Sequence, residues 1–346
     1  IQQEQQLGQA DQTIAGKAWM KRVIHNSGGL SGESASIRTY TSSMANTLAG
    51  NRFGADVHPF YKTSDDPIQL SAYEQLLDLM NDGVAVWTIF GHSSAFAVDF
   101  DIGLPESYDN FGRYPLMLVM GCFSGICSAP QQGIGEQFVL APDRGAIAYI
   151  ASVNYSFIDA LHDYGQQFYQ RMGGADYGKS IGLTLAHTIG DLKNTNSAGL
   201  KAVLHQNLMQ GDPAIRVYAH QGPDYVIDQQ SVQFAPNPVS INEAELKLRF
   251  DVVNIGENTG DQLALNITQR LPDNSTFIAR LLDTIDAPGF RKTLDYQIPV
   301  TGSKIGFNRF FVALDPENKI AENPPAAEMN NSLNDALGNP GQDLFY

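Results

Sequence analysis

Pro115-Leu-Met-Leu-Val-Met-Gly-Cys-Phe-Ser-Gly-Ile-Cys127 is an apolar run that stops at a Gly-Cys step and passes into a turn. A short apolar run bounded by turn residues reads as a buried strand, with Cys122 just past its carboxyl end. A second run, Gly83-Val-Ala-Val-Trp-Thr-Ile-Phe-Gly-His92, ends the same way and leads into Ser93-Ser94. In an open parallel sheet, sites form outside the carboxyl ends of the strands. Two neighbouring strands ending like this bring a thiol and an imidazole together. That pair is the minimum apparatus of a cysteine nucleophile: the imidazole takes the proton and the thiolate attacks.

Around these two runs, residues 1 to about 220 alternate strand-like and helix-like stretches. Strands are expected at 19–24, running into Ser27-Gly-Gly, and at 55–61 and 145–152, besides the two already quoted. Helices are expected at 33–49, 68–81, 133–141, 156–172 and 178–193. Alternation of this kind indicates a mostly parallel sheet with helices on both faces. Gly211-Asp212-Pro213 reads as a turn ending a helix. Near Gly222 the character changes. Short alternating stretches follow, among them 246–253, 263–268, 277–282 and 309–314, with turn clusters such as Pro272-Asp-Asn-Ser between them. That spacing reads as an all-β sandwich of immunoglobulin-like type. The expected organisation is therefore an α/β domain over 1–221 and a β-sandwich with a C-terminal tail over 222–346.

Composition narrows the partners. The chain has 346 residues, 22 basic and 37 acidic, for a net charge of −15. Such a surface repels phosphate backbones, so nucleic acid is not an expected partner. No apolar stretch approaches the roughly 20 residues that span a bilayer, so no transmembrane segment is expected. The Gln-rich start at Ile1 lacks a signal-peptide pattern and reads as the start of a processed or trimmed piece. Two cysteines, Cys122 and Cys127, rule out disulfide frameworks and cysteine-rich zinc sites. Cys127 lies past the turn and reads as a free or packed thiol. The remaining histidines share no ligand spacing, and Gly28-Gly29 is a turn with no phosphate-loop lysine after it.

Four blocks in order carry a resemblance. They are Gly91-His92-Ser93-Ser94, Tyr114-Pro115 leading to Gly121-Cys122-Phe123-Ser124-Gly125, Gly145 to Ser152, and Gly211-Asp212-Pro213-Ala214. Together they resemble the gingipain family of cysteine peptidases, of the caspase-like clan, over most of residues 19–220. Within that family it resembles the sortase-like members of the type IX secretion system of Bacteroidetes. Their sandwich pattern looks like Asp315, Asn318, Glu322, Asn330 and Asn331 here. The resemblance implies a caspase-like sheet, Cys122 as nucleophile and His92 as base. It implies an oxyanion hole built from the amides of Cys122 and Ser93, where one such donor is worth about 3–4 kcal/mol.

It further implies polypeptide substrates among exported proteins, a periplasmic, outer-membrane-associated or cell-surface location, and other secretion-system components as candidate partners. No cofactor is required, and a structural calcium at Asp315 and Glu322 is the candidate metal, against a turn-stabilising role for the same residues. Ser27, Glu33, Asp99 and Asp101 are the candidate cleft-lining residues.

The chain departs from the family at three places. Ser93 stands where the family has Gly after the His. Ser27 stands where arginine-specific members carry an acidic residue before the Gly-Gly pair, and Ala35 where they carry an Asp for the substrate arginine. Trypsin-like specificity is therefore not expected. The leading expectation is a cysteine endopeptidase or sortase-like transpeptidase with a Cys-His dyad. The alternative is a peptidase-like scaffold that has lost catalysis.

Overall fold

The computed structural model describes residues 13–128, 130–217, 220–322 and 342–345. The chain divides into two compact units, residues 18–219 and residues 13–17 together with 220–346. The sequence reading assigns helix α1 (Ile14–Lys17) to the first domain, but α1 groups with the second unit. The reason is local. The buried Lys17 ammonium pairs with the Asp224 carboxylate at 2.7 Å, and Ile14 packs on Val226, Val253 and Ile255.

In the first unit, strand β1 (Arg22–Ser27) is followed by helix α2 (Ser34–Gly50), β2 (Asp56–Tyr61), α3 (Tyr73–Asp82), β3 (Val86–Phe90) and β4 (Leu116–Met120). Then come α4 (Ile134–Leu140), β5 (Ala148–Ser152), α5 (Ile158–Met172), α6 (Ile181–Leu192), α7 (Ala198–Gln206) and β6 (Asn207–Gly211). The six strands form one sheet in the order β2-β1-β3-β4-β5-β6. All pairings are parallel except that of β6, which runs antiparallel to β5. This is the expected mostly parallel sheet.

The central strands are buried along their whole length, so they read as unbroken apolar runs rather than alternating ones. Their side chains nonetheless alternate between two cores. Leu116, Leu118 and Met120 join Met44, Leu48, Leu161 and Phe168 on the face covered by α2 and α5. Met117 and Val119 join Leu76, Met80 and Phe138 on the face covered by α3 and α4.

Two expectations are corrected. Residues 19–21 form a turn of 3₁₀ helix ahead of β1 rather than part of the strand. Gly211 ends a strand, not a helix, because 207–211 turns back onto β5 directly after α7.

The second unit contains two antiparallel sheets around one core. One has the order β11 (Arg291–Pro299), β8 (Glu245–Asn254), β7 (Tyr225–Ala235). The other has the order β10 (Phe277–Asp286), β9 (Gln262–Arg270), β12 (Phe307–Leu314), β13 (Gln342–Phe345). Leu246, Leu248 and Phe250 from the first sheet pack with Leu263, Leu265, Ile267, Phe310 and Val312 from the second. This is a β-sandwich built on period-two burial.

Candidate active site

The register of the sheet aligns three strand ends. Ser27 lies opposite Phe90, and Phe90 lies opposite Met120. Each of these residues is followed by glycine: Gly28, Gly91 and Gly121. The Gly28 N–H donates to the Phe90 carbonyl at 2.7 Å and the Gly91 N–H to the Met120 carbonyl at 3.1 Å, which carries the pairing one residue past the strands. Space dictates glycine here. A Cβ on Gly28 or on Gly91 would overlap Asp99 Oδ2, and one on Gly121 would overlap Ser93 Oγ. The polypeptide then diverges, and Cys122 and His92 start from adjacent positions on neighbouring strands.

His92 opens a tight hairpin. Ser93 faces Val98 across it, the Asp99 N–H donates to the His92 carbonyl at 3.1 Å, and the Ser94 N–H donates to the Ala97 carbonyl at 2.8 Å. The Ser93 hydroxyl donates to the Cys122 carbonyl at 2.8 Å, which latches the histidine hairpin to the cysteine turn. Neither the Ser93 N–H nor the Cys122 N–H donates a hydrogen bond to any described residue. The site therefore has two unused backbone donors on segments tied to each other.

The His92 side chain is half exposed, and its Nε2 lies within hydrogen-bond distance of Glu33 Oε1. The same oxygen accepts the Leu30 N–H at 3.3 Å, so the turn after Gly28-Gly29 aims the carboxylate. With Nε2 facing the carboxylate, Nδ1 is the nitrogen left to accept a proton. The partly exposed Cys122 thiol meets the loop after β5: Sγ accepts the Ser156 N–H at 3.5 Å and lies 3.8 Å from the Ser156 carbonyl. Its hydrogen-bond partners are these backbone groups and not the His92 ring. Phe123, the next residue, sits in the left-handed region at φ 61°. It is held there by its N–H on the Asn154 carbonyl and by an edge contact with Tyr155, ring centres 4.5 Å apart.

Of the expected cleft-lining residues, Glu33 lies on His92. Ser27 does not line a cleft: it is fully buried, with its hydroxyl bonded to Thr41 Oγ1 at 2.6 Å. Asp99 is also buried, held by backbone N–H groups and by Lys62. Asp101 is half-buried, accepts the Gly103 N–H at 3.0 Å, and lines a groove beside the His92 hairpin. That groove has a volume of about 360 Å³ and is walled by Leu70, Phe96, Phe100 and Leu104. Cys127 is an exposed free thiol.

In the sandwich, Asp315 accepts the Ile320 N–H at 2.7 Å and Glu322 accepts the Tyr225 N–H at 3.2 Å. Asn330 and Asn331 lie outside the described residues. Among the described residues no group of three or more His, Cys, Asp or Glu side chains is arranged to hold a metal ion. No helix among them is long and apolar enough to cross a membrane.

Glu33 as the histidine's partner was missed by sequence reasoning. A carboxylate in a Gly-Ser-rich turn carries no periodic signal, and only the sheet register puts that turn beside His92.

A mostly parallel six-stranded sheet covered by helices on both faces carries a thiol and an imidazole just past neighbouring strand ends, the arrangement expected of a cysteine peptidase. The sequence model of Peptidase family C25 matches residues 2–218, and the chain belongs to that family, the gingipain family of cysteine peptidases. Among solved structures it is similar to the arginine-specific cysteine proteinase gingipain R (RgpB), with a TM-score of 0.48 and 13% identity over 89% of this chain and 68% of that one. It is also similar to the complex of the pro- and mature domains of RgpB from Porphyromonas gingivalis, with a TM-score of 0.49 and 13% identity over 89% and 69%. The Drosophila initiator caspase Dronc gives a TM-score of 0.35 and 10% identity over 58% and 83%. No curated protein matches the chain.

Proposed function

We propose that this peptidase processes exported polypeptides through an acyl-enzyme on Cys122, with His92 as base and Glu33 as the group that orients it. The observation that supports this reading is the hydrogen bond from the Ser93 hydroxyl to the Cys122 carbonyl, which ties the segment that carries His92 to the segment that carries the thiol. In the first step His92 Nδ1 takes the thiol proton and the thiolate attacks the substrate carbonyl. The Ser93 and Cys122 N–H groups receive the oxyanion, a contribution of about 3–4 kcal/mol for such a donor. Collapse breaks the peptide bond, and the departing amine takes the proton from His92. A thioester on Cys122 remains. Water resolves it in an endopeptidase; a primary amine on an acceptor resolves it in a sortase-like transpeptidase.

Every group in this scheme belongs to the chain, so no cofactor enters it. The proposal puts the protein in the periplasm or at the cell surface, with other secretion-system components as partners, on the strength of its family. Ala35 is exposed and brings no counter-charge for a basic substrate side chain. The apolar walls of the groove beside the His92 hairpin favour an apolar one.

A peptidyl acyloxymethyl ketone tests the reading. It is expected to label Cys122, as read by mass spectrometry, and His92→Ala is expected to suppress labelling. Failure to label Cys122 in the unaltered protein across a varied peptide library would overturn it. Adding a primary amine to the reaction separates the two fates of the thioester, since only a transpeptidase gives the amide product.

A further inference from the structure

We propose that Asp99, with Lys62 as its buried counter-charge, is a positioning residue that sets the place of the His92 imidazole. The inference rests on the reading of His92 as the base. Asp99 is 2% exposed and its carboxylate is fully engaged. Oδ2 accepts the His92 N–H at 2.8 Å and the Gly29 N–H at 2.7 Å. Oδ1 accepts Lys62 Nζ at 3.0 Å, with the two side chains 1% and 2% exposed.

One carboxylate thus ties together the segment that carries the base and the turn that carries the base's own partner, Glu33. The Asp99 N–H closes the circuit on the His92 carbonyl at 3.1 Å. Lys62 is itself anchored at the sheet: its N–H donates to the Ser27 carbonyl at 2.9 Å, and its carbonyl receives the Arg38 guanidinium at 2.5 Å.

The surrounding glycines fit this role. Gly28 and Gly91 each leave the space that Asp99 Oδ2 occupies, and a methyl group at either would displace it. Two strand-end glycines, a buried acid and a buried base form one device. The energetics also favour positioning over stability. A buried ion pair gains little net stability against an apolar pair of equal volume, because desolvation offsets the attraction. What it provides is a fixed geometry for the groups it bonds, and a shift of about 1 Å at a reacting group can cost roughly 100-fold in rate.

The test uses the full chain carrying Cys127→Ala, so that iodoacetamide reports on Cys122 alone. The alkylation rate is measured at neutral pH, with folding checked by circular dichroism. At neutral pH, His92→Ala and Asp99→Asn are both expected to slow alkylation of Cys122 relative to the parent, because the thiol loses its positioned base. With a peptide substrate, Asp99→Asn is expected to lower kcat by about 10- to 100-fold while KM changes little. An alkylation rate that His92→Ala does not lower sinks the nucleophile–base pair and this inference with it. A rate that His92→Ala lowers and a folded Asp99→Asn leaves in place sinks the positioning role alone.

If Asp99→Asn does not fold, Asp99→Asn/Lys62→Met removes both charges, and the same two outcomes decide. If neither variant folds, amide exchange on the unaltered protein decides. Protection is expected at the His92 and Gly29 amides, and exchange there at the rate of open loops overturns the proposal.

Discussion

Cys122 and Cys127 lie in one turn and differ in every respect that matters to reactivity. Cys122 is half-buried against the Ser156 backbone, on a segment latched to the His92 hairpin. Cys127 is an exposed thiol beyond that latched segment. Cys122→Ala is therefore expected to abolish processing, and Cys127→Ala to leave it nearly intact, measured on any peptide that the wild type cleaves. Removing the nucleophile of a covalent mechanism costs nearly the whole effect, because the other groups act through it. His92→Ala is expected to cost about 10²- to 10⁴-fold, the usual contribution of a positioned general base. Glu33→Gln is expected to lower kcat with little change in KM, since the carboxylate acts through its contact with His92. Equal kcat for Glu33→Gln and wild type would remove Glu33 from the site.

At the scale of elements, β1 carries a pH-sensitive joint. His25 is buried between β1, α2 and α5. Its Nδ1 donates to the Thr41 carbonyl at 3.2 Å and its Nε2 accepts the Tyr169 hydroxyl at 3.1 Å. Burial lowers its pKa from 6.5 to about 4, against the smaller upward pull of the Thr41 carbonyl. The folded state thus disfavours the protonated ring, and between pH 6.5 and 4 the unfolded chain binds more protons. Stability is complete above pH 6.5 and falls as the pH drops toward 4, by about 3 kcal/mol in all, at roughly 1.4 kcal/mol per pKa unit. Urea midpoints measured across that window are expected to slope in wild type and to flatten in His25→Gln. A second element-scale expectation concerns the first turn of α2. Ala35 supplies no acid, so profiling with a peptide library should show no Arg or Lys preference, and a strong one would refute this.

The same scale shows how legible the chain was. The ends of β3 and β4 could be read directly, because a fully buried parallel strand is an uninterrupted apolar run that must stop at a turn. The glycine steps at 91 and 121 marked where side chains diverge, and with them Cys122 and His92. β6 could not be read: Asn207-Leu-Met-Gln-Gly211 is half-exposed on an edge and follows α7 without a turn, so it reads as the tail of that helix. Ser27 and Asp99 read as cleft-lining residues because each adjoins a polar turn. Their burial depends on Thr41 and Lys62, which are distant in sequence and brought close only by the sheet.

At the scale of the whole molecule, the chain comprises two compact units, and its N-terminal helix α1 groups with the second. Residues 18–219 are expected to fold without the sandwich, because each unit has its own core. Circular dichroism and a cooperative urea transition of that fragment would check this; an aggregated or molten product would show the units to be interdependent. Lys17 and Asp224 make the opposite point for the second unit. Both are buried, and removing one partner of such a pair is strongly destabilising. Lys17→Met is expected to lower the stability of the sandwich unit by about 3 kcal/mol in denaturant titrations.

Phe123 bears on how the chain would drift under different selection. A bulky residue in the left-handed region carries a penalty of roughly 1–2 kcal/mol, which its ring contact with Tyr155 only partly offsets. A library randomised at position 123 and selected for heat resistance alone is expected to return Gly or Asn, which tolerate that backbone. Selected for cleavage, the same library is expected to keep an aromatic ring, because the ring fixes the turn that presents the thiol. If both selections converge on Gly, the conformation beside the nucleophile is a passive inheritance of the fold.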